Sequence, residues 1–462
     1  MNGTSVKSST ALAIARAFAQ GLADPVAVTA AALDHARGMR ATFISVVAAD
    51  RALRRAEESA ERWRRKVPLS VLDGVPIAWK DLFDIAGLTT TAGSATRAAN
   101  VPALADAALV ARAERAGMIT VGKTNLSEFA YSGLGLNPHF GTPTNSRIDH
   151  GLRVPGGSSS GAAISVAAGV VPISVGTDTA GSIRIPSAFN GLTGYRASIG
   201  RYSRAGMVSL SRTLDTIGPI ANTVSDCAAF DAVVQGVPFR KANRTPRDHR
   251  FVIDLSLIER YAVSELVASN FLAFIERLRE SDARVEEHTF TALADIHRII
   301  ADQGWIGALE AFETHRALLD SDAASTLDPY VRARLERARH VPSSRRSELL
   351  ALRNELQAVF VRELKDATLI VPTVSHTAPL LAPLEADPDL FAAVNMKTLA
   401  MTMPASFLDA PVVAMPSGLD GDSLPTGVQL IRSSNDDDVL LSVAQRVEQH
   451  MQTSRTEERN DA

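Results

Sequence analysis

GGSSSGAAISVAAGVVPISVGTDTAGSIRIP, residues 156–186, is the stretch on which the reading of this 462-residue chain turns. Two loops of glycine and small hydroxyl residues flank one apolar passage, an arrangement that core packing does not require. In the second loop, GTDTAGSIR, Gly176 and Gly181 permit backbone conformations closed to other residues, so successive N–H groups can line a concavity that holds negative charge. Beside Ser182 Oγ such a nest is an oxyanion hole, in which loss of one donor costs about 10²–10³ in rate. An ordinary strand-to-helix turn fits the same letters equally well. The first loop, GGSSSG, leads into the small-residue helix AAISVAAG, and its hydroxyls can serve simply as caps. A phosphate loop is a poor match, because the GxxxxGK[ST] pattern is absent here.

A hydroxyl nucleophile needs a base to take its proton. Far upstream, residues 75–79 (VPIAW) read as a short buried strand that delivers Lys80 and Asp81 at its carboxyl end. Ligands of open α/β sheets gather beyond such ends. Burial brings a lysine pKa down from about 10.4 toward the working pH. Asp81 and Asp84 lie close in sequence, and either one facing Lys80 would hold the ammonium charged. Strand alternation turns Asp81 to the opposite face.

The bulk numbers narrow the class. With 46% hydrophobic residues the chain can bury a large core, and 48 Lys+Arg against 51 Asp+Glu give a net charge of −3 with no basic half. Nucleic acid and anionic membrane surfaces are therefore not the expected partners. The single cysteine, Cys227, forbids an intrachain disulfide and reads as a buried structural thiol in a reducing compartment. The ten histidines are scattered with no HExxH pair, so no metal site is expected. The apolar start ALAIARAFAQ is interrupted by Arg16 and reads as an amphipathic helix capped by Ser9 or Thr10 rather than a signal peptide. The longest apolar run is too short to span a membrane. A cytoplasmic protein is expected.

Along the chain, residues 10–66 read as helical, with Asp24-Pro25 opening a second helix and residues 48–65 a charged, solvated third. Asp106 is expected to open a helix that Gly117 closes before a strand at 118–121. Residues 122–145 are too rich in glycine, proline and asparagine for a regular element and read as a long functional loop. Later strands are expected at 251–255, 367–371, 411–415 and 426–431, with helices near 262–280, 292–319, 329–339 and 344–366 between them. A final helix covers 438–451. Helix and strand alternate, so the fold class is α/β. Residues 1–452 are expected to form one interwoven domain, with 453–462 a flexible tail.

Taken together, these residues resemble the amidase signature family of serine hydrolases. The matching segments are LDGVPIAWKD (72–81), GKTNLSEFA (122–130), GGSSSG (156–161) and GTDTAGSIRIP (176–186), followed by LSRTLDTIGPIANTVSD (210–226) and PTGVQLI (425–431). The resemblance implies a large twisted mixed β-sheet surrounded by α-helices and a Ser-cisSer-Lys triad. Ser182 would be the nucleophile, Ser158 the proton relay after a cis Gly157–Ser158 peptide, and Lys80 the base. The backbone N–H groups of Thr179, Ala180, Gly181 and Ser182 would bind the oxyanion. Ser159, Asp178 and Arg184 would brace the loops, and Ala130, Tyr131 and Ser132 would border the acyl pocket. The implied reaction is hydrolysis of a small-molecule carboxamide through an acyl-enzyme, without cofactor, in a monomer or homodimer. Ser160 and Ala180 stand where glycine is common in the family; a positive φ at Ala180 would strain it.

Four other readings stay open at this level. Residues 157–161 also fit GxSxG, a nucleophile elbow with Ser159 as nucleophile, which requires a strand directly before it. The glutamine-hydrolysing component of a tRNA-dependent amidotransferase shares the triad, and so do allophanate and urea-like amide hydrolases. A binding protein that has kept the fold and lost the chemistry is the fourth.

Overall fold

The computed structural model describes residues 10–148, 150–242, 246–342 and 344–460. Ser9 lies outside them, and the first helix, Ala11–Ala19, takes its cap from Thr10, whose Oγ1 accepts the Ala13 N–H at 3.1 Å. Asp24 caps the helix Pro25–Gly38 with Pro25 in its first turn, as the Asp-Pro pair suggests. The charged helix Ala49–Arg64 buries only Ala52, Ala56 and Ser59 along its length.

Eleven strands form one sheet: β1 (Phe43–Val46), β2 (Pro76–Lys80), β3 (Ile119–Thr124), β4 (Ile173–Asp178), β5 (Thr193–Arg196), β6 (Thr216–Ala221), β7 (Arg250–Ile253), β8 (Arg284–Glu287), β9 (Thr368–Pro372), β10 (Val412–Leu419) and β11 (Pro425–Ile431). Their order across the sheet is β1-β3-β2-β4-β6-β5-β10-β11-β9-β7-β8. β3, β2 and β4 run parallel, as do β9, β7 and β8, and the strands between these groups pair antiparallel. The sheet is thus mixed and flanked by helices, as expected for the fold class. β2, β3 and β4 are buried at every position, which is why their sequences are near-continuous apolar runs rather than alternating ones.

Several elements depart from expectation. β1 interrupts the N-terminal segment that reads as helical. β5 (TGYR) and β6 (TIGPIA) carry Gly and Pro inside the strand, which hides their signal. Asp106 does not cap a helix; its carboxylate accepts from Ala86 N–H and Arg51, and the helix opens at Ala108 without a side-chain cap. The single helix expected at 292–319 is two, Thr291–Gln303 and Ile306–Leu319, broken at Gly304 with φ 94. The last helix, Asp437–Asn460, runs past the expected end at Met451; residues 461 and 462 lie outside the described set. Among the described residues no helix is long and apolar enough to cross a membrane.

Candidate active site

The parallel strands β2 and β4 end side by side, Trp79 opposite Val175, so Lys80 and the Thr177-Asp178 pair meet at one edge of the sheet. The chain reaches β4 through the helix Ser160–Ala167, and the GGSSSG loop before that helix lies over the same edge. Lys80 is fully buried, with Nζ 2.7 Å from Ser158 Oγ, 3.1 Å from Ser159 Oγ and 2.9 Å from Thr177 Oγ1. Ser159 gives its own hydrogen to Thr177 O at 3.3 Å, so it can only accept from Lys80. A neutral amine has two hydrogens and one lone pair, and three hydroxyl neighbours match that inventory. The lone pair then faces Ser158. Burial brings the Lys80 pKa down to about 7, against the more distant pull of Asp215 and Asp178.

Asp81 points away from Lys80, as strand alternation requires. It forms a buried ion pair with Lys123 at 2.6 Å and also accepts from Thr91. Asp84 accepts from Thr90 Oγ1. The Gly157–Ser158 peptide is cis. Ser159 occupies the helix N-cap position, but its hydroxyl makes no capping bond, which removes the capping reading of the first loop. No strand leads into residues 157–161, where Arg153 makes only an isolated bridge to Leu380, so the nucleophile elbow lacks its frame. Ser160 Oγ is buried without a partner, and nothing in the structure explains it.

Ser182 follows Gly181, and its carbonyl accepts the Ser159 N–H at 3.3 Å, which ties the two loops together. Gly181 has φ 133, and a Cβ there would sit 2.2 Å from Thr402 Oγ1, so no other residue fits. Ala180 is not in the left-handed region, so its methyl group carries no backbone strain. The Gly181 N–H is directed at Asp178 Oδ1, 2.8 Å away. The N–H groups of Thr179, Ala180 and Ser182 have no hydrogen-bond partner among the described residues. Asp178 and Arg184 form a fully buried bidentate pair, 2.9 and 3.0 Å. Burial pushes the Asp178 carboxyl up, but Arg184 and Arg196 outweigh it and hold it at about 2. Arg184 also donates to Thr402 O, Gln429 Oε1 and Ser406 Oγ, which anchors the loop to the C-terminal third of the chain.

Ala130, Tyr131 and Ser132 border a cavity beside Ser182, with Thr179 and Ala180 on the opposite lip. Leu210, Trp305, Gly307, Leu399 and Arg334 complete the wall. About 20 Å³ stays open, on the order of one water. Arg334 lies over the Tyr131 ring, 4.2 Å from its centroid, and donates to Tyr131 O. It forms no ion pair with a carboxylate among the described residues. Sequence reasoning missed Thr177, Asp215 (which accepts from Thr179 Oγ1 at 2.6 Å) and the cavity residues beyond position 200. Thr177 sits inside the quoted GTD triplet, but Arg334 and Trp305 lie on helices with no motif to mark them. Cys227 is buried, and burial pushes its thiol well above the usual range, in keeping with a structural role.

Comparison with known proteins agrees with this arrangement. The amidase family profile matches residues 27–441. The 2-amino-5-chloromuconic acid deaminase of Comamonas testosteroni is 34% identical over 397 residues, 82% of each chain. The glutamine-hydrolysing component of the glutamyl-tRNA(Gln) amidotransferase of Streptococcus pneumoniae is 32% identical over 410 residues, 81% of this chain and 82% of that one. A crystal structure of an amidase superposes with a TM-score of 0.81 and 27% identity, covering 95% of this chain and 99% of that one. The chain therefore belongs to the amidase signature family and is a hydrolase of carbon–nitrogen bonds.

Proposed function

We propose that the chain hydrolyses a small carboxamide whose acyl part carries a carboxylate, through an acyl-enzyme on Ser182. The observation that carries the chemistry is the 2.7 Å contact of Lys80 Nζ with Ser158 Oγ inside a shell of hydroxyls that no carboxylate enters. Ser182 Oγ attacks the carbonyl carbon while its proton passes to Ser158 Oγ and the Ser158 proton passes to neutral Lys80. The oxyanion is held by the free N–H groups of Thr179, Ala180 and Ser182. Collapse of the tetrahedral species breaks the C–N bond, and the nitrogen leaves with the proton returned from Lys80 through Ser158. Water then attacks the ester, gives its proton to the same relay, and releases the acid with Ser182 restored.

The substrate class rests on Arg334. A guanidinium in the cavity wall with only a carbonyl and a ring for company matches an incoming carboxylate, which it can hold by two parallel hydrogen bonds. The name of the Comamonas relative, a deaminase of an acid, supports the same class. A second reading, the glutamine-hydrolysing component of a tRNA-dependent amidotransferase, is favoured by the Streptococcus relative, and glutamine also carries a carboxylate. A turnover screen of acid amides, their neutral isosteres, glutamine and allophanate separates these readings. Acid amides are expected to be hydrolysed by the chain alone; activity on glutamine that requires a copurifying partner would move the second reading forward. Ser182→Ala is expected to lower kcat on the order of 10⁶-fold. Labelling by a fluorophosphonate at any serine except Ser182, read by peptide mass spectrometry, would contradict the assignment of the nucleophile.

A further inference from the structure

The wall of the cavity contains a carboxylate that the chemistry does not use. Glu128 is fully buried at the start of the short turn Glu128–Ala130, which delivers Ala130, Tyr131 and Ser132 to the cavity. Phe129 and Ala130 have φ 51 and 62, two consecutive non-glycine residues in the left-handed region, so the turn needs external support to persist. The Glu128 side chain leaves this turn. Oε2 accepts the backbone N–H of Asp328 at 2.7 Å, and Oε1 lies 3.1 Å from His139 Nε2; the Ser94 hydroxyl adds a further hydrogen bond.

Asp328 is the N-cap of the helix Pro329–Arg337, and its own carboxylate accepts the Tyr330 N–H at 2.8 Å. In a capping box the N-cap N–H is satisfied by a Glu or Gln three residues later. Here that position is Val331, which cannot accept. Glu128, 200 residues upstream, supplies the missing acceptor. The same helix carries Arg334, whose guanidinium returns to Tyr131 on the Glu128 turn. The turn and the helix are therefore joined twice, once at the buried helix start and once at the cavity.

We infer that Glu128 is a positioning residue for the acyl cavity, completing the cap of the helix Pro329–Arg337 and so fixing Arg334 where it meets an anionic acyl group. This rests on the reading of Arg334 given above. A misplacement of about 1 Å in a binding group is enough to cost roughly 10²-fold in rate, so a loosened cap should appear as lost selectivity rather than lost chemistry.

The test uses two probes that label Ser182 without knowledge of the natural substrate: an alkyl fluorophosphonate and one bearing a terminal carboxylate. The full chain is compared with Glu128→Ala, Glu128→Gln, Arg334→Gln and the Glu128→Ala/Arg334→Gln double variant. The wild-type chain is expected to react about tenfold or more faster with the anionic probe, the size of a hydrogen bond to a charged group. Glu128→Ala should lose that preference while its rate with the neutral probe stays within about threefold. Glu128→Gln should keep it, because the amide oxygen still accepts from Asp328 N–H. The double variant should be no worse than Arg334→Gln alone. Equal slowing of both probes by Glu128→Ala, or an effect that multiplies with that of Arg334→Gln, would overturn the role of Glu128. A wild-type chain with no anionic preference would instead overturn the reading of Arg334. Should Glu128→Ala fail to fold, Glu128→Asp, which withdraws the carboxylate by one methylene, carries the same expectations.

Discussion

Lys80 and Lys123 stand on adjacent parallel strands, β2 and β3, with Trp79 opposite Lys123 and Lys80 opposite Thr124. Both are fully buried. Lys123 meets Asp81 at 2.6 Å and is completed by Thr90 Oγ1 and Thr89 O, whereas Lys80 meets only the hydroxyls of Ser158, Ser159 and Thr177. Burial lowers the pKa of each; for Lys123 the Asp81 carboxylate pulls back at contact distance, and for Lys80 the carboxylates of Asp215 and Asp178 act only from farther away. One lysine is thereby a structural ion pair and the other a candidate base. Burial is common to both, and the contact with a carboxylate is what separates them.

The comparison can be broken in graded steps. The largest contrast is between the two lysines themselves. Lys80→Met is expected to lower kcat/KM by about 10²–10⁴, the range for loss of a general base, with the fold intact by circular dichroism. Lys123→Met should do the reverse. It leaves Asp81 buried alone, at a cost of about 3–5 kcal/mol in urea unfolding, while the folded fraction keeps its chemistry. Next, Thr177→Asp gives Lys80 the partner that Lys123 has. A contacting carboxylate raises a lysine pKa by about 1–3 units. Because only the neutral amine accepts a proton, the rate at pH 7 should fall by at least about tenfold and the rising limb of the pH profile should move alkaline by the same interval. The smallest effect is that of Ser159→Ala, about 2–10-fold, the worth of one neutral hydrogen bond to the lysine. Complete loss of labelling in that variant would return Ser159 to the role of nucleophile.

The central strands and the first helices were legible because their signals are local. A buried apolar run ending in Lys80 needs no partner to be read, and Thr10 and Asp24 announce the helices that follow them. β5 and β6 were not legible, since TGYR and TIGPIA become strands only because β4 and β10 flank them. The catalytic loops were visible through their glycine and hydroxyl spacing, and the resemblance joined them to Lys80. The rest of the site was hidden for a different reason. Arg334, Trp305 and Leu399 reach the cavity from helices that carry no local pattern, brought there by contacts such as Glu128 to Asp328 that span 200 residues. The direction of the Gly181 N–H was equally hidden. Only the loop geometry reveals that Asp178 already holds it, leaving Thr179, Ala180 and Ser182 as the free donors.

The most direct test of Lys80 as a neutral base needs no substrate. The second-order rate of Ser182 labelling by an alkyl fluorophosphonate can be followed from pH 5 to 10 in the wild-type chain. With Lys80 at about 7, the rate should climb about tenfold per pH unit below that value and level off above it. A flat profile, or a rise whose midpoint lies above about pH 9 as for an ordinary lysine, would contradict the assignment.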